Sequence, residues 1–257
     1  MQAIILAGWY GTRLYPLTLD APKPMISLGN RPMIEYLIDK LDALGTISDI
    51  FIVTNGKFAH VFDTWRRGTW RNDIQIVNDM TLSNEDRLGS LGDIQFVIDH
   101  YDITENVIIL GGDNFFEDDL SEIIQEFEKK WDIIALYDIG NLQSVKQLST
   151  LTMDRDNKIL EFIEKPENPT STLCSTLIYI FQHQTLSHIW KVIQSGQSDR
   201  AWDLIAHLCS VQSIYGHVLT KKWFDIGSME QLHNAEAWLT TQEENSSTSQ
   251  AQKDLSE

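Results

Sequence analysis

A short apolar run, Ala3-Ile4-Ile5-Leu6-Ala7, leads directly into Gly8-Trp9-Tyr10-Gly11-Thr12-Arg13, and Pro22-Lys23-Pro24 follows after a short gap. Beyond the C-terminal end of a strand in an α/β sheet, such a loop can cradle phosphate oxygens with its backbone N–H groups. Arg13 adds a forked donor and Lys23 a point charge, the two cations that a triphosphate needs near its β and γ groups. The same Gly-x-x-Gly loop can also be a tight turn carrying surface cations, so by itself it leaves both readings open.

Two acids stand in comparable settings. Asp113 ends the apolar run of Ile108-Ile109-Leu110-Gly111-Gly112, where the glycines let a ligand approach, and Asp225 lies between apolar neighbours in Trp223-Phe224-Asp225-Ile226-Gly227. An unpaired carboxylate among apolar residues is costly, and a hard divalent cation such as Mg²⁺ shared by the two would offset that cost. Each acid taken singly also suits a helix N-cap.

The elements that must carry these residues alternate. Ala3–Ala7, Ile50–Thr54, Ile74–Val77, Val107–Leu110 and Ile133–Tyr137 read as buried strands, and 33–44 and 120–130 carry helical periodicity. That rhythm predicts an α/β fold with a mixed, mostly parallel central sheet and helices on both faces. From about residue 149 shorter strand-like pieces, Ser149–Met153, Ile159–Ile163 and Thr176–Phe181, suggest a small additional sheet in the second half. Helical patterns return at 186–193, 200–208 and 229–239, with a strand candidate at 213–219. One domain over 1–240 is expected, its halves dividing near 130 and 131, followed by a disordered tail at 241–257 rich in Gln, Glu, Asn, Ser and Thr.

With 20 basic and 37 acidic residues the chain of 257 carries a formal charge of −17, which disfavours nucleic acid and anionic membrane as partners. Any polyphosphate site must concentrate its cations locally. Two cysteines, Cys174 and Cys209, are too few for a disulfide framework, and the N-terminal apolar run is too short for a signal or a span, so an unprocessed cytoplasmic protein is expected. Seven histidines are scattered without paired metal-ligand spacing and read as structural or surface residues. The basic and aromatic stretch 64–71 reads first as the end of an amphipathic helix and second as a self-association surface.

Taken together, Leu6-Ala7-Gly8-Trp9-Tyr10-Gly11-Thr12-Arg13-Leu14-Tyr15-Pro16-Leu17-Thr18, Pro22-Lys23-Pro24-Met25, Gly112-Asp113-Asn114, Glu164-Lys165-Pro166 and Trp223-Phe224-Asp225-Ile226-Gly227 form an ordered series. It resembles the sugar-1-phosphate nucleotidyltransferases, of the glucose-1-phosphate thymidylyltransferase and mannose-1-phosphate guanylyltransferase kind, over about residues 2–240. The resemblance implies a Rossmann-like nucleotidyltransferase fold and transfer of a nucleoside monophosphate from a triphosphate to a sugar 1-phosphate or similar phosphorylated molecule, with release of pyrophosphate. Carried onto this chain, the motif that opens at Leu6 and Ala7 would hold the triphosphate through Gly8, Gly11, Thr12 and Arg13, with Lys23 neutralising charge at the reacting phosphates. Asp113 and Asp225 would hold Mg²⁺, and Glu164 and Lys165 would meet the acceptor. Asn84, Gly89 and Ser90 occupy the place of the base-binding turn. A homo-oligomer is compatible with these roles.

Such chemistry brings two oxyanions together, so it calls for cations and alignment and for no covalent protein intermediate. The lack of a nucleophile–histidine–acid set is consistent with it. Trp9 replaces a second loop glycine of most relatives, Leu177 a strand glycine facing the sugar, and Trp202 and Ala206 fall where relatives often carry Gly and Glu. These changes predict either a pocket reshaped for a smaller or different acceptor, or an inert binding protein on the same fold.

Overall fold

Side chains that alternate along the first strand decide what covers each face of the sheet. In the computed structural model, which describes residues 1–196 and 200–254, the elements of the first half are β1 (Gln2–Leu6), β2 (Ser27–Leu28), β3 (Arg31–Pro32), α1 (Met33–Leu44), β4 (Asp49–Thr54), α2 (Ala59–Thr69), β5 (Ile74–Asn78), α3 (Gly89–His100), β6 (Val107–Gly111), β7 (Asn114–Phe116), α4 (Leu120–Lys130) and β8 (Ile133–Asp138). The second half adds α5 (Leu142–Val145), β9 (Ser149–Met153), β10 (Ile159–Glu164), β11 (Leu173–Phe181), α6 (Ser187–Gln194), α7 (Ala201–Val211), β12 (Tyr215–Val218), β13 (Trp223–Asp225) and α8 (Met229–Asp254).

Seven strands form one sheet in the order β12-β8-β11-β6-β1-β4-β5, with β11 antiparallel to both its neighbours and the remaining pairs parallel. Ala3 and Ile5 pack on one side with Ile34, Leu37 and Leu41 of α1 and Ile123 of α4. Ile4 and Leu6 pack on the other with Leu91 and Ile94 of α3, Ile189 of α6 and Leu204 of α7. All five side chains of β1 are buried, which explains its nearly continuous apolar run. Each fully buried Ile or Leu there contributes about 1.5–3 kcal/mol.

A third, smaller core joins Leu14 of the first loop to Phe115 after β6, Ile226 after β13, and Leu232 and Ala235 of α8. It matters most for the site, because each of these residues lies within two positions of Arg13, Asp113 or Asp225, or on the helix that backs them.

Two expectations are corrected. Thr176–Phe181 is not part of the small added sheet, which consists of β9 and β10 alone; it belongs to β11, inserted between β6 and β8 of the main sheet. Its buried run Ile178–Phe181 fits an interior strand, since both faces there are covered. The last helix continues through Asp254, whereas composition predicts a disordered tail from 241; extending a nucleated helix costs little even for a polar sequence. Residues 255–257 of that tail lie outside the described residues. The stretch 64–71 covers the end of α2, where Trp65 donates to Glu35, and the two residues beyond it, of which Arg71 bonds both Asp42 and Asp73.

Candidate active site

The register of β1 with β6 places Leu6 beside Gly111, so the loops that follow these two strands leave the sheet side by side. Gly112 N–H donates to Leu6 O at 2.9 Å, and a Cβ on Gly112 would lie 2.6 Å from that oxygen; only glycine permits so close an approach. The turn delivers Asp113 to the rim of β1. Across it, Gly11 takes φ +58° and opens the single turn Thr12–Leu14, with its carbonyl fixed by Thr18 Oγ1 at 2.7 Å. Lys23, in the turn after Pro22, reaches over so that Nζ lies 2.6 Å from Asp113 Oδ2.

Asp225 arrives from the far end of the sequence. β13 pairs antiparallel with β7, setting Asp225 opposite Asn114, and Ile226 N–H donates to Asp113 O at 3.0 Å. Trp223 Nε1 donates to Asn114 Oδ1, which locks the pairing from behind. Burial, and then the charge of Asp113, pushes the Asp225 carboxyl up to about 6, while Lys23 and Arg13 pull it down. Neither acid caps a helix, since Asp119 precedes α4 and Asp225 lies in a strand.

These residues line one cleft of about 840 Å³. Gly11, Thr12, Arg13, Asn84 and Ser90 line it, and so do Glu164 and Lys165. Leu6 and Ala7 are wholly buried in the core and offer the cleft no side chain. Gly8 backs onto two buried acids, since a Cβ there would lie 2.8 Å from Asp93 Oδ2 and 3.6 Å from Asp79 Oδ2, and Gly89 begins α3 at φ +75°. Asp79 accepts from both N–H and Oγ1 of Thr81, and burial raises its carboxyl.

The expected acceptor residues are accompanied by two that sequence reasoning did not assign. Arg200 lies just ahead of α7 and pairs with Asp203 at 3.1 Å, and its guanidinium carbon is 5.8 Å from the centre of the Trp202 ring. Lys165 Nζ lies 5.6 Å from the same ring. Arg87 also lines the cleft and donates to Asn84 O at 2.9 Å. Burial pushes the Glu164 carboxyl up to about 7; Asp203 adds to this, and Lys165 and Arg200 oppose it.

A model of the nucleotidyl transferase family matches residues 2–242 of the chain. The chain belongs to the nucleotidyl transferase family. Among curated proteins it is similar to the bifunctional protein GlmU of Methanocaldococcus jannaschii, with 29% identity over 240 residues, 93% of this chain and 54% of the relative. The chain thus spans about half the length of the curated relatives it matches. Among solved structures it is similar to one named as a glucose-1-phosphate thymidylyltransferase of Bacillus anthracis, in complex with sucrose, at a TM-score of 0.81 and 24% identity over 93% of this chain and 94% of that one. A UDP-glucose pyrophosphorylase complexed with UDP-glucose matches at 0.79 and 17% over 94% and 98%. These likenesses show the nucleotidyltransferase fold with its mostly parallel sheet.

Two residues that the sequence resemblance singles out, Trp9 and Leu177, take definite form in the structure. Trp9 lines the cleft while packing against the main core, and its backbone is not left-handed, so the indole is accommodated without backbone strain. Leu177 is different. It takes φ +58°, a conformation that costs a residue with a Cβ about 1–2 kcal/mol. Two histidines are brought together, His188 Nδ1 and His207 Nε2 at 3.0 Å, between α6 and α7 and outside the cleft lining.

No group of three or more His, Cys, Asp and Glu residues able to hold a metal occurs among the described residues. The donor set at Asp113 and Asp225 nevertheless suits a hard cation: two carboxylates that interact with each other lie beside Lys23 and Arg13. A metal that takes one or two carboxylates and completes its shell with phosphate oxygens and water needs no more protein ligands than these.

Proposed function

We propose that the chain transfers a nucleoside monophosphate from a nucleoside triphosphate to a phosphorylated small molecule, in the manner of a sugar-phosphate nucleotidyltransferase, giving a nucleoside-diphosphate-linked or CDP-type product and pyrophosphate. The observation that carries this reading is the meeting of Lys23, Asp113 and Asp225 beside the Gly11–Arg13 loop. The unit is the domain over about 1–240: Gly8, Gly11, Thr12, Arg13, Asn84, Gly89 and Ser90 hold the triphosphate from the first half, with main-chain groups at Leu6 and Ala7 shaping the entry. Glu164, Lys165 and Arg200 receive the acceptor from the second.

Arg13 and the loop amides hold the β and γ phosphates, and Lys23 offsets charge near the reacting centre. Asp113 and Asp225 would hold Mg²⁺, which when bound supplies charge that screens one phosphate from the other. An oxygen of the acceptor phosphate forms a bond to the α-phosphorus while the bond to the bridging oxygen of pyrophosphate breaks in line with it. That dianion is its own nucleophile, so no protein group has to remove a proton. Function in the cytoplasm is supported by two free thiols, Cys174 and Cys209; among the described residues no helix is long and apolar enough to cross a membrane.

The test incubates the chain with Mg²⁺, each of ATP, CTP, GTP, UTP and dTTP, and phosphorylated acceptors, and measures pyrophosphate. Acceptor-dependent release is expected. Triphosphate binding by calorimetry with no release in any combination would replace this reading with the inert binding protein; the open cleft beside Trp9 favours the enzyme.

A further inference from the structure

We propose that Leu177 restricts the acceptor to the phosphate monoester of a short-chain alcohol, shorter and less hydroxylated than a hexose. This rests on the nucleotidyl-transfer reading and narrows its acceptor.

The inference begins with the backbone. β11 loses register with β8 between Ser175 and Tyr179, and Leu177 occupies the break in the left-handed conformation. A strained residue that persists at a cleft wall has its conformation fixed by its surroundings, and such positions concentrate at functional sites. The consequence is spatial: Leu177 Cδ2 lies 2.9 Å from where a Cβ on Gly111 would be, so its isobutyl group covers the floor of the cleft at the end of β6, two residues before Asp113. An acceptor body must pass over this group to bring its phosphate to the reacting centre.

The hydroxyls on that wall are already engaged. Ser175 Oγ and Tyr179 Oη share a hydrogen bond of 3.0 Å, Ser149 Oγ accepts from Ser175 N–H, and Thr176 Oγ1 donates to Ala135 O. Ring and methyl surface comes from Trp9, Phe162, Trp202 and Ala206, with Gln147, Glu164 and the Arg200-paired Asp203 as polar side chains beside it. The cations that can take a phosphate, Lys165 and Arg200, gather around Trp202. Where a hexose ring lay on the carbon of this wall it would exchange water for carbon at its hydroxyls, which an apolar surface rejects by roughly 100-fold. A short-chain alcohol phosphate brings the same anion with few hydroxyls to satisfy.

The test measures pyrophosphate release with Mg²⁺ and the five triphosphates for two sets of acceptors. One set holds the 1-phosphates of glucose, mannose and N-acetylglucosamine; the other holds glycerol 3-phosphate, ethanolamine phosphate and choline phosphate. For the best short-chain acceptor kcat/KM should exceed that of every hexose 1-phosphate by about 100-fold, in line with rejection of hydroxyls by an apolar surface. Leu177→Gly should narrow the gap about tenfold by raising the hexose value, with the KM for triphosphate unchanged. Leu177→Ala keeps the backbone geometry but clears the isobutyl group, and should move the ratio in the same direction should the glycine variant fold poorly. Hexose 1-phosphates used as well as the short acceptors would overturn the proposal while leaving nucleotidyl transfer standing. A gap unchanged in both Leu177 variants would overturn the role of Leu177. Silence with both sets would instead overturn the transfer reading and this inference with it.

Discussion

Lys23 and Asp113, ninety residues apart in sequence, meet at 2.6 Å with both side chains almost closed to solvent. The contact gives Asp113 a cation, while Asp225, pushed upward by burial and by Asp113, is drawn back by Lys23 and Arg13. Replacing Lys23 with Met should therefore destabilise the chain by about 3 kcal/mol, the cost of leaving a buried carboxylate without its partner. Urea denaturation with and without Mg²⁺ checks this: the loss should be partly recovered by the ion, and equal losses in both conditions would remove the cation role from the two acids.

Asp113→Asn preserves the shape of the turn after β6 and removes its charge. Turnover, followed by pyrophosphate release, should fall about 10³-fold while the far-ultraviolet circular dichroism stays close to the parent and the thermal midpoint drops, because buried Lys23 loses its partner. A variant with normal turnover would exclude Asp113 from the reacting centre.

Glu164 gives the unliganded chain a pH dependence. Its carboxyl is pushed up to about 7 in the fold by burial, from an ordinary value of 4.5. An acid that binds its proton more tightly when folded contributes stability that is full below the unfolded value and is lost as pH rises from about 4.5 to about 7. Chemical denaturation at pH 5 and pH 8 should accordingly show the parent losing stability relative to Glu164→Gln across that interval. Parallel profiles would place Glu164 in a solvated setting.

Asp132 is a structural counterpart outside the cleft lining. Its carboxylate accepts from Gln182 N–H at 2.9 Å, Thr185 Oγ1 at 2.9 Å and Gln212 Nε2 at 2.8 Å, tying the start of β8 to the segments before α6 and after α7. Asp132→Ala strands three donors and should cost about 2–4 kcal/mol by denaturant unfolding, with KM for the triphosphate unchanged.

The sequence pattern carried the fold where periodicity was clean. Helices at 33–44 and 120–130 and the strand at 149–153 have the bounds their apolar spacing predicts. α2 and α3 were not readable in this way: α2 buries only Ala59 and Phe62, and α3 opens on Gly89 and contains Gly92, which weakens the helical signature despite Leu91, Ile94 and Val97 at three-residue spacing. Of the candidate site, the loop, the lysine and both acids stand out in the sequence because they fall in an ordered series of motifs, and the structure brings them to one cleft. Arg200 escaped notice because a single arginine ahead of a helix has no signature, although the neighbouring Trp202 and Ala206 marked the region. The left-handed turn at Leu177 is a property of backbone register that residue identity alone does not disclose.

The pairing of β13 with β7 has one more consequence. Because Asp225 reaches Asp113 only through a strand formed near residue 223, a chain emerging from the ribosome holds its loop and first carboxylate for more than a hundred residues before the second can join them. Under the proposed transfer reaction competence would therefore arrive late and all at once, and a product interrupted anywhere in that interval would carry the loop and Asp113 without the second carboxylate.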